Sequence, residues 1–215
     1  MLGALWDYRD IWWNGLTTTA LLTAISFIGA IVLGTIIAAF RISPITPLRV
    51  VGLIFVEVFR NVPLMSLIIV VVYALPEIEI LLGYNESIIL AMTLVGASFV
   101  CEALRTGVNS VDRGQIEAAR SLGLNFFGVV GQVVMPQAFR SMVQPLVTVF
   151  IGILLSSSLA GVVGVLDLTA VSSYINNREA LGLVTFAVAA VMYIAIALSA
   201  GAIGDRLERR LRVLR

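Results

Sequence analysis

Residues 17–40 read TTTALLTAISFIGAIVLGTIIAAF, an apolar run without a charged side chain. A transmembrane α-helix needs about 20 mostly apolar residues to cross the hydrocarbon core of a bilayer. This run is long enough, so it predicts a membrane-spanning helix. The whole chain agrees, because its mean hydropathy is +1.03 and only 13% of its residues are charged, whereas soluble domains carry about 25%.

Four further apolar runs follow the first one. They cover residues 50–75, 87–100, 142–166 and 181–203, and the third extends towards residue 108 if Glu102 and Arg105 lie near the membrane surface. We therefore predict one membrane domain over residues 1–215, of the all-α class, with five transmembrane helices. Their approximate bounds are 15–40, 50–75, 87–108, 138–166 and 181–204.

The arginines are distributed unevenly among the predicted connections. The chain has no lysine, and its arginines gather between the first and second spans, between the third and fourth, and after the fifth. Connections rich in Lys and Arg are cytoplasmic by the positive-inside rule. We therefore predict that the N-terminus is outside and the C-terminus is cytoplasmic. The aromatic cluster around Trp12 would then be an anchor at the outer interface.

Neither histidine nor lysine occurs in the chain. A Walker A loop needs a lysine at the phosphates, and the common zinc sites and Ser-His-Asp triads need histidine. Glu57 and Glu102 are the acidic residues expected inside spans. We therefore predict a non-catalytic chain without a metal site, in which any driving ATP is hydrolysed by another polypeptide.

The connection over residues 109–137 is predicted to be cytoplasmic and ordered, because it contains helix formers and apolar residues. A helix over 115–122 would end at Gly123. Asn125 would cap a second helix over 126–134, which Pro136 would stop. Phe126 and Phe127 would be exposed on this pair of helices, which indicates a partner protein.

The same connection carries a spaced motif. Glu117-Ala118-Ala119, Gly123 and Val133-x-Met135-Pro136 stand in the order E-A-A-x₃-G-x₉-V-x-M-P. This pattern resembles the EAA loop of ABC importer permeases. Valine and methionine replace the isoleucine and leucine that the family has at the two apolar positions of the I-x-L-P element.

Three other segments narrow the resemblance to permeases for polar amino acids. They are EVFRNVPL at 57–64, FVCEALRTGV at 99–108 and PQAFR at 136–140. The likeness runs from about residue 15 to the C-terminal arginines. It implies the fold of a type I ABC importer permease, with five spans and cytoplasmic coupling helices.

The resemblance also implies partners and a location. A second permease chain, identical or homologous, would pack beside this one in the lipid of a bacterial inner membrane. Two ABC ATPase subunits would bind the ATP and Mg, so no cofactor is expected on this chain. An extracytoplasmic binding protein would deliver the polar amino acid, with glutamate or glutamine favoured. No nucleic acid is expected.

Two sets of site residues follow from the motifs. The ATPase-coupling set is Glu117, Ala118, Ala119, Arg120, Gly123 and Pro136. The hypothetical substrate path comprises Glu57, Arg60, Asn61, Pro63, Ser157 and Ser158. The alternative for Arg120 is ordinary positive-inside charge.

Arg60 is predicted near the middle of the second span, about ten residues from its start. Glu57, three residues earlier on the same helical face, would pair with it. That pair would be purely structural, or Arg60 would help to hold the carboxylate of the solute. Pro63 would kink the helix by freeing the carbonyl of Phe59.

Two further features of the spans have open interpretations. Relatives have K-[DN]-[ST]-S-L where this chain has Leu155 and Ser156 before Ser157, so the usual charged pair is missing. The serines line the path or bond back to their own helix. A stripe of small residues (Ser26, Ala30, Gly34 and Ala38) recurs every fourth residue in the first span and serves packing within the chain or contact with a second chain.

Two other classes of protein remain as alternatives. An ion-coupled secondary transporter would need inverted repeats and several buried ionisable groups, which are not evident in five spans. If the chain were a channel-like protein, the E-A-A motif and its spacing would have no functional meaning.

Overall fold

The computed structural model describes residues 6–211, and this part of the chain is helical. The α-helices are α1 (Arg9–Ile42), α2 (Thr46–Asn61), α3 (Leu64–Ile69), α4 (Tyr84–Asn109), α5 (Arg113–Ser121), α6 (Phe126–Val129), α7 (Met135–Ser156), α8 (Leu168–Glu179) and α9 (Gly182–Arg210). Four helical stretches are long and apolar enough to cross a membrane, and a bent pair formed by α2 and the stretch after it makes the fifth. The predicted five spans are confirmed.

The first and third spans, α1 and α4, pack closely because one face of α1 is built from small residues. Ser26, Ala30, Gly34 and Ala38 are all buried. A Cβ atom at Gly34 would lie 2.8 Å from the carbonyl oxygen of Ala97, and one at Gly96 would lie 2.9 Å from Ala30. The stripe therefore packs within the chain, as small residues allow in lipid.

The second span is broken, so the predicted continuous helix over 50–75 is wrong. Helix α2 ends at Asn61, and the stretch from Leu64 to Ile78 leaves it at an angle of 102°. Proline disfavours the helical conformation of the residue before it, and Val62 is extended, with φ −78° and ψ 131°. Pro63 therefore breaks the helix fully rather than kinking it.

After the break, α3 continues as a π-helical turn (Val70–Ala74) and a 3₁₀ turn (Leu75–Ile78). Its buried residues Ile68 and Val71 join a core cluster that includes Leu22 of α1 and Ile88 of α4. This second half of the span is thus held against the N-terminal halves of the first and third spans.

Two short helices form between the third and fourth spans, as predicted. The Asp112 carboxylate caps α5 by accepting from Gly114 N at 2.7 Å, and Asn125 caps α6 by accepting from Gly128 N at 2.8 Å. Gly123 ends the first helix with a φ of +83°, a conformation that glycine adopts without a steric penalty. Asp112 therefore lies at the N-terminus of α5, and Glu117 lies in the middle of this helix.

Pro136 does not stop a helix, contrary to the prediction. The chain passes from α6 through a π-helical turn (Val130–Val134) into α7, with Pro136 in the first turn of α7. Met135 N donates to Val130 O, five residues earlier. The wider π turn makes room for the proline ring, which would otherwise clash with the carbonyl four residues before it. The fourth span therefore begins within the predicted loop 109–137.

A helix that the sequence analysis did not predict, α8, closes the opposite end of the bundle. Asp167 is 0% exposed and caps it, accepting from Ala170 N at 2.9 Å, while Tyr193 OH of α9 donates to Asp167 Oδ2 at 3.0 Å. Leu168 N donates to Thr19 Oγ1 of α1 at 3.1 Å. Burial raises the pKa of the Asp167 carboxyl, and the hydrogen bonds that it accepts from Ala170 N and Tyr193 OH oppose the rise.

We expect Asp167→Ala to destabilise the chain by about 1–3 kcal/mol, because it leaves a buried hydroxyl and a helix N-terminus without their acceptor. The apparent melting temperature of the purified chain is measured by thiol labelling of Cys101, which is buried and is the single cysteine. Asp10→Ala, at an exposed site, is the control. Equal melting temperatures would show that Asp167 does not hold this end together.

Candidate functional site

The first candidate site is the surface of α5, α6 and the turn between them, which we call the coupling surface. Glu117, Ala118, Arg120 and Gly123 are exposed, whereas Ala119 is buried against the bundle. Gly123 N donates to Arg120 O at 2.9 Å, and Leu124 N donates to Ala119 O at 3.2 Å. These bonds fix the turn, so the coupling surface has a defined shape.

The coupling surface exposes large apolar side chains beside its charges. Leu122 is 83% exposed, Phe126 67% and Phe127 82%, and the two phenyl rings lie edge to face with centroids 5.7 Å apart. The prediction that Phe126 and Phe127 are exposed is confirmed. Contiguous exposed apolar side chains rimmed by polar ones mark interaction sites. This surface is therefore suited to a protein partner.

The coupling surface is firmly attached to the spans. Gln137 of α7 donates to the Gln115 side chain of α5 and, at 3.0 Å, to Val133 O. Ser110 at the end of α4 donates to Ser141 Oγ of α7 at 2.9 Å. Pro136 is exposed in the first turn of α7, next to this junction. A displacement of the surface would therefore be transmitted to both the third and the fourth span.

An ionic network joins the first and third spans at the same end of the bundle. Arg41 of α1 pairs with Glu102 of α4, and Arg105 Nη1 lies 3.2 Å from Glu102 Oε1. The sequence placed Glu102 and Arg105 three residues apart on one helical face, which is the signal that a pair could form. It did not reveal Arg41, because that contact depends on how α1 and α4 pack.

The second candidate site is the break in the second span. The predicted Glu57–Arg60 ion pair is wrong: no ion pair within 4.0 Å joins them among the described residues. Asn61 Nδ2 instead donates to Glu57 O at 2.7 Å and to Glu57 Oε2 at 3.4 Å. Arg60 is exposed in the last turn of α2, where its charge complements the negative end of the helix dipole.

Ser157 and Ser158 lie in the 3₁₀ stretch that follows α7. Their hydroxyls donate to Leu154 O and Leu155 O, both at 2.7 Å, so both bond back to their own helix, and Ser157 is fully buried. The neighbouring Ser156 belongs to the same run of serines, which the sequence offered as a lining of the path. It lies at the position of the acidic or amide residue in the K-[DN]-[ST]-S-L pattern and borders a cavity.

That cavity has a volume of about 280 Å³ and lies between α3, α4 and α7. Its lining is mainly apolar and includes Leu64, Met92, Phe99, Thr148 and Ser156. None of the six predicted substrate-path residues lines it, although Leu64 follows Pro63 directly and Ser156 precedes Ser157. The cavity thus lies between the break in the second span and the serines of the fourth span. Within residues 6–211 there is no cluster of three or more potential metal ligands.

An all-helical membrane domain with a broken span, a cavity between its helices and an ordered helical surface between its third and fourth spans is typical of a transporter permease. Residues 30–213 match the family described as "Binding-protein-dependent transport system inner membrane component". The chain belongs to this family, and the resemblance seen in the sequence is confirmed. Its fold is that of a type I ABC importer permease. The two alternatives considered from the sequence, a secondary transporter and a channel, are therefore excluded.

Individual relatives agree with this assignment. The chain is 37% identical to a probable glutamine ABC transporter permease protein of Bacillus subtilis, with 92% of each chain covered. It is 34% identical to a glutamate transport system permease protein of Corynebacterium efficiens, covering 85% of this chain and 86% of the relative.

Solved structures show the same fold. The chain is similar to a subunit of an amino acid ABC transporter crystallised with histidines, with 27% identity, a TM-score of 0.90 and 96% of each chain covered. A structure of a methionine ABC transporter, with 20% identity and a TM-score of 0.77, shares the fold.

Proposed function

We propose that this chain is the non-catalytic permease subunit of an ATP-driven importer for a polar amino acid, with glutamine or glutamate favoured. The permeases for glutamine and for glutamate named above support this choice of substrate. An extracytoplasmic binding protein delivers the solute, as the family description implies. The absence of lysine and histidine from the chain fits a subunit that does not hydrolyse ATP itself.

The observation that carries the proposal is the coupling surface. Leu122, Phe126 and Phe127 project from the arginine-rich end of the bundle, where the positive-inside rule places the cytoplasm. Two ATPase subunits, which bind ATP and Mg, each engage the coupling surface of one permease chain. The two permease chains are identical or homologous. In this arrangement the N-terminus is outside and the C-terminus is cytoplasmic.

Within the coupling surface, the residues have different roles. Ala118 is exposed and allows close approach of a partner backbone, since alanine has the smallest side chain after glycine, whereas the buried Ala119 packs α5 against the bundle. Glu117 and Arg120 pair with charged groups of the ATPase. Gly123 sets the turn that orients the exposed Phe127. Pro136 fixes the start of α7, through which motion reaches the fourth span.

The substrate path follows the broken span and the cavity beside it. Arg60 supplies a positive charge for the carboxylate of the amino acid, and the Asn61–Glu57 pair leaves that charge available. Pro63 creates the break. Ser157 and Ser158, whose hydroxyls are satisfied by their own helix, shape the path beside Ser156 without binding the solute strongly.

Glu117→Lys tests the proposed coupling. Glu117 is exposed, so the chain should insert and fold normally, but the reversed charge should repel the ATPase site that accepts a carboxylate. We expect the amount of ATPase that co-purifies with the permease to fall at least tenfold, the equivalent of about 1.4 kcal/mol, and uptake to fall with it.

Glu77→Lys is the matched control, because Glu77 lies in the 3₁₀ turn after α3, at the other end of the second span. It should leave the association with the ATPase unchanged. If Glu117→Lys co-purifies as much ATPase as the control, then this surface does not couple the permease to ATP hydrolysis.

A further inference from the structure

A second concave surface lies at the end of the bundle remote from the coupling surface, between the first turns of α1 and the first half of α9. It has a volume of about 510 Å³. The chain contains three tryptophans, and all of them, Trp6, Trp12 and Trp13, line this groove together with Arg9. The apolar residues Leu16, Val188 and Met192 complete it. We call it the tryptophan groove.

The chemistry of the tryptophan groove changes in a regular order along α1. Arg9, Trp12 or Trp13, and Leu16 are three or four residues apart, so they share one face of the helix. At 1.5 Å per residue they span about 10 Å along its axis. A cation, then indole groups, then aliphatic side chains follow one another from the helix N-terminus inwards. A phospholipid has the same order: phosphate, glycerol esters and acyl chains.

One polar group in the tryptophan groove has no partner. Trp12 is 6% exposed, and its Nε1–H is buried without a hydrogen-bond acceptor within residues 6–211. A buried donor without an acceptor costs about 1–3 kcal/mol. That nitrogen lies beneath the surface of the groove, so Trp12 contributes its ring to the groove wall and its N–H does not donate to a ligand there.

The charges at the mouth of the tryptophan groove indicate which headgroup fits. Arg9 Nε lies 3.7 Å from Asp10 Oδ1, and both side chains are more than half exposed, so both remain able to bind other groups. Asp7 is also exposed in this segment. A cation beside carboxylates complements a headgroup that carries both an anionic phosphate and a cationic ammonium. An anionic headgroup would meet the two carboxylates unfavourably.

We propose that the tryptophan groove binds one phosphatidylethanolamine molecule. Its phosphate lies at Arg9, its ammonium at Asp10, its glycerol region beside the indole rings, and an acyl chain along Leu16 and the α9 residues Val188 and Met192. Beside it on α9 lies a second, wholly apolar groove lined by Leu183 and Val191, which shares Val188 and Met192 with the first. With the proposed orientation, the lipid belongs to the outer leaflet.

The test uses the tryptophans themselves. The full-length chain with Trp6→Phe and Trp13→Phe retains Trp12 as its single tryptophan. It is reconstituted into phosphatidylcholine vesicles that contain increasing fractions of phosphatidylethanolamine brominated on its acyl chains, and quenching of Trp12 fluorescence is recorded. We expect quenching several-fold stronger than the bulk fraction of brominated lipid predicts. Quenching by brominated phosphatidylglycerol or brominated phosphatidylcholine should not exceed the value that the bulk fraction of each lipid predicts.

Arg9→Gln in the same background should reduce quenching by phosphatidylethanolamine to its bulk fraction. Arg9 is 58% exposed, so this change should not affect folding. Arg178→Gln is the matched control, since Arg178 stacks on Tyr174 of α8, 4.5 Å from the ring centroid, outside the groove. It should leave the quenching unchanged.

Three outcomes would overturn the proposal. Quenching in proportion to the bulk fraction for all lipids would mean ordinary boundary lipid. No quenching by any lipid would mean that a second permease chain covers the groove. Stronger quenching by brominated phosphatidylglycerol than by brominated phosphatidylethanolamine would show that the acidic residues do not select the headgroup.

Discussion

Replacing Gly34 by leucine is expected to abolish the folded permease, because it forces the first and third spans apart. A Cβ atom at Gly34 would meet the Val100 side chain at 2.7 Å and the Ala97 carbonyl oxygen at 2.8 Å. The second contact is with the backbone, which cannot move aside as a flexible side chain can. Even alanine should cost roughly 1–3 kcal/mol, the usual range for overpacking, and leucine much more.

The measurement is the yield of monodisperse protein after extraction from the membrane, together with the melting temperature of what is recovered. Gly201→Leu is the matched control, because Gly201 is also within a spanning helix but a Cβ atom there meets nothing within 4 Å. We expect Gly201→Leu to resemble the unmodified chain. Normal yield and stability of Gly34→Leu would refute the close α1–α4 packing.

Arg60→Ala is expected to abolish uptake while the assembled importer survives. Arg60 is exposed at the end of α2, and within residues 6–211 it makes no ion pair. An arginine inside a membrane costs at least about 2.5 kcal/mol unless it faces water or protein. Its position at the break in the second span, without an ion pair, therefore favours contact with the carboxylate of the solute rather than support of the fold.

The experiment measures uptake of radiolabelled glutamine and glutamate by the complete transporter in proteoliposomes, with assembly checked by co-purification. Arg49→Ala serves as the control on the same helix, since Arg49 contacts only Thr46 among the hydrogen-bonded side chains described. Arg60→Lys retains the charge and should restore part of the uptake. If Arg60→Ala transports normally, Arg60 does not bind the solute.

Some features of the fold could be predicted because they depend on short segments. Four of the five hydrophobic runs are long enough to cross a bilayer by themselves, and the third reaches that length when it is extended towards residue 108, so the runs identify the spans. Asn125 and Gly123 act within their own turn, where an amide side chain caps a helix and a glycine adopts a positive φ. The Glu117 motif depends on spacing along the chain, and its family assignment was confirmed.

Other features could not be predicted because two outcomes were locally acceptable. Pro63 is compatible with either a kink or a break in the helix. The break forms because α3 packs against α1 and α4. Pro136 is compatible with a helix end or a helix start, and the π turn before it decided for a start. Glu57 had two polar neighbours within reach on its own helix, and it bonds to Asn61 rather than to Arg60.

The sequence by itself determined the membrane class, the five spans, the position of the coupling surface and the family, since each depends on hydrophobicity or spacing along one segment. Only the tertiary structure decided that Arg41 pairs with Glu102, that Asp167 is buried under Tyr193, and that three tryptophans share a groove with α9. Those contacts join residues far apart in the chain. Their energies depend on how whole helices pack, which no single segment encodes.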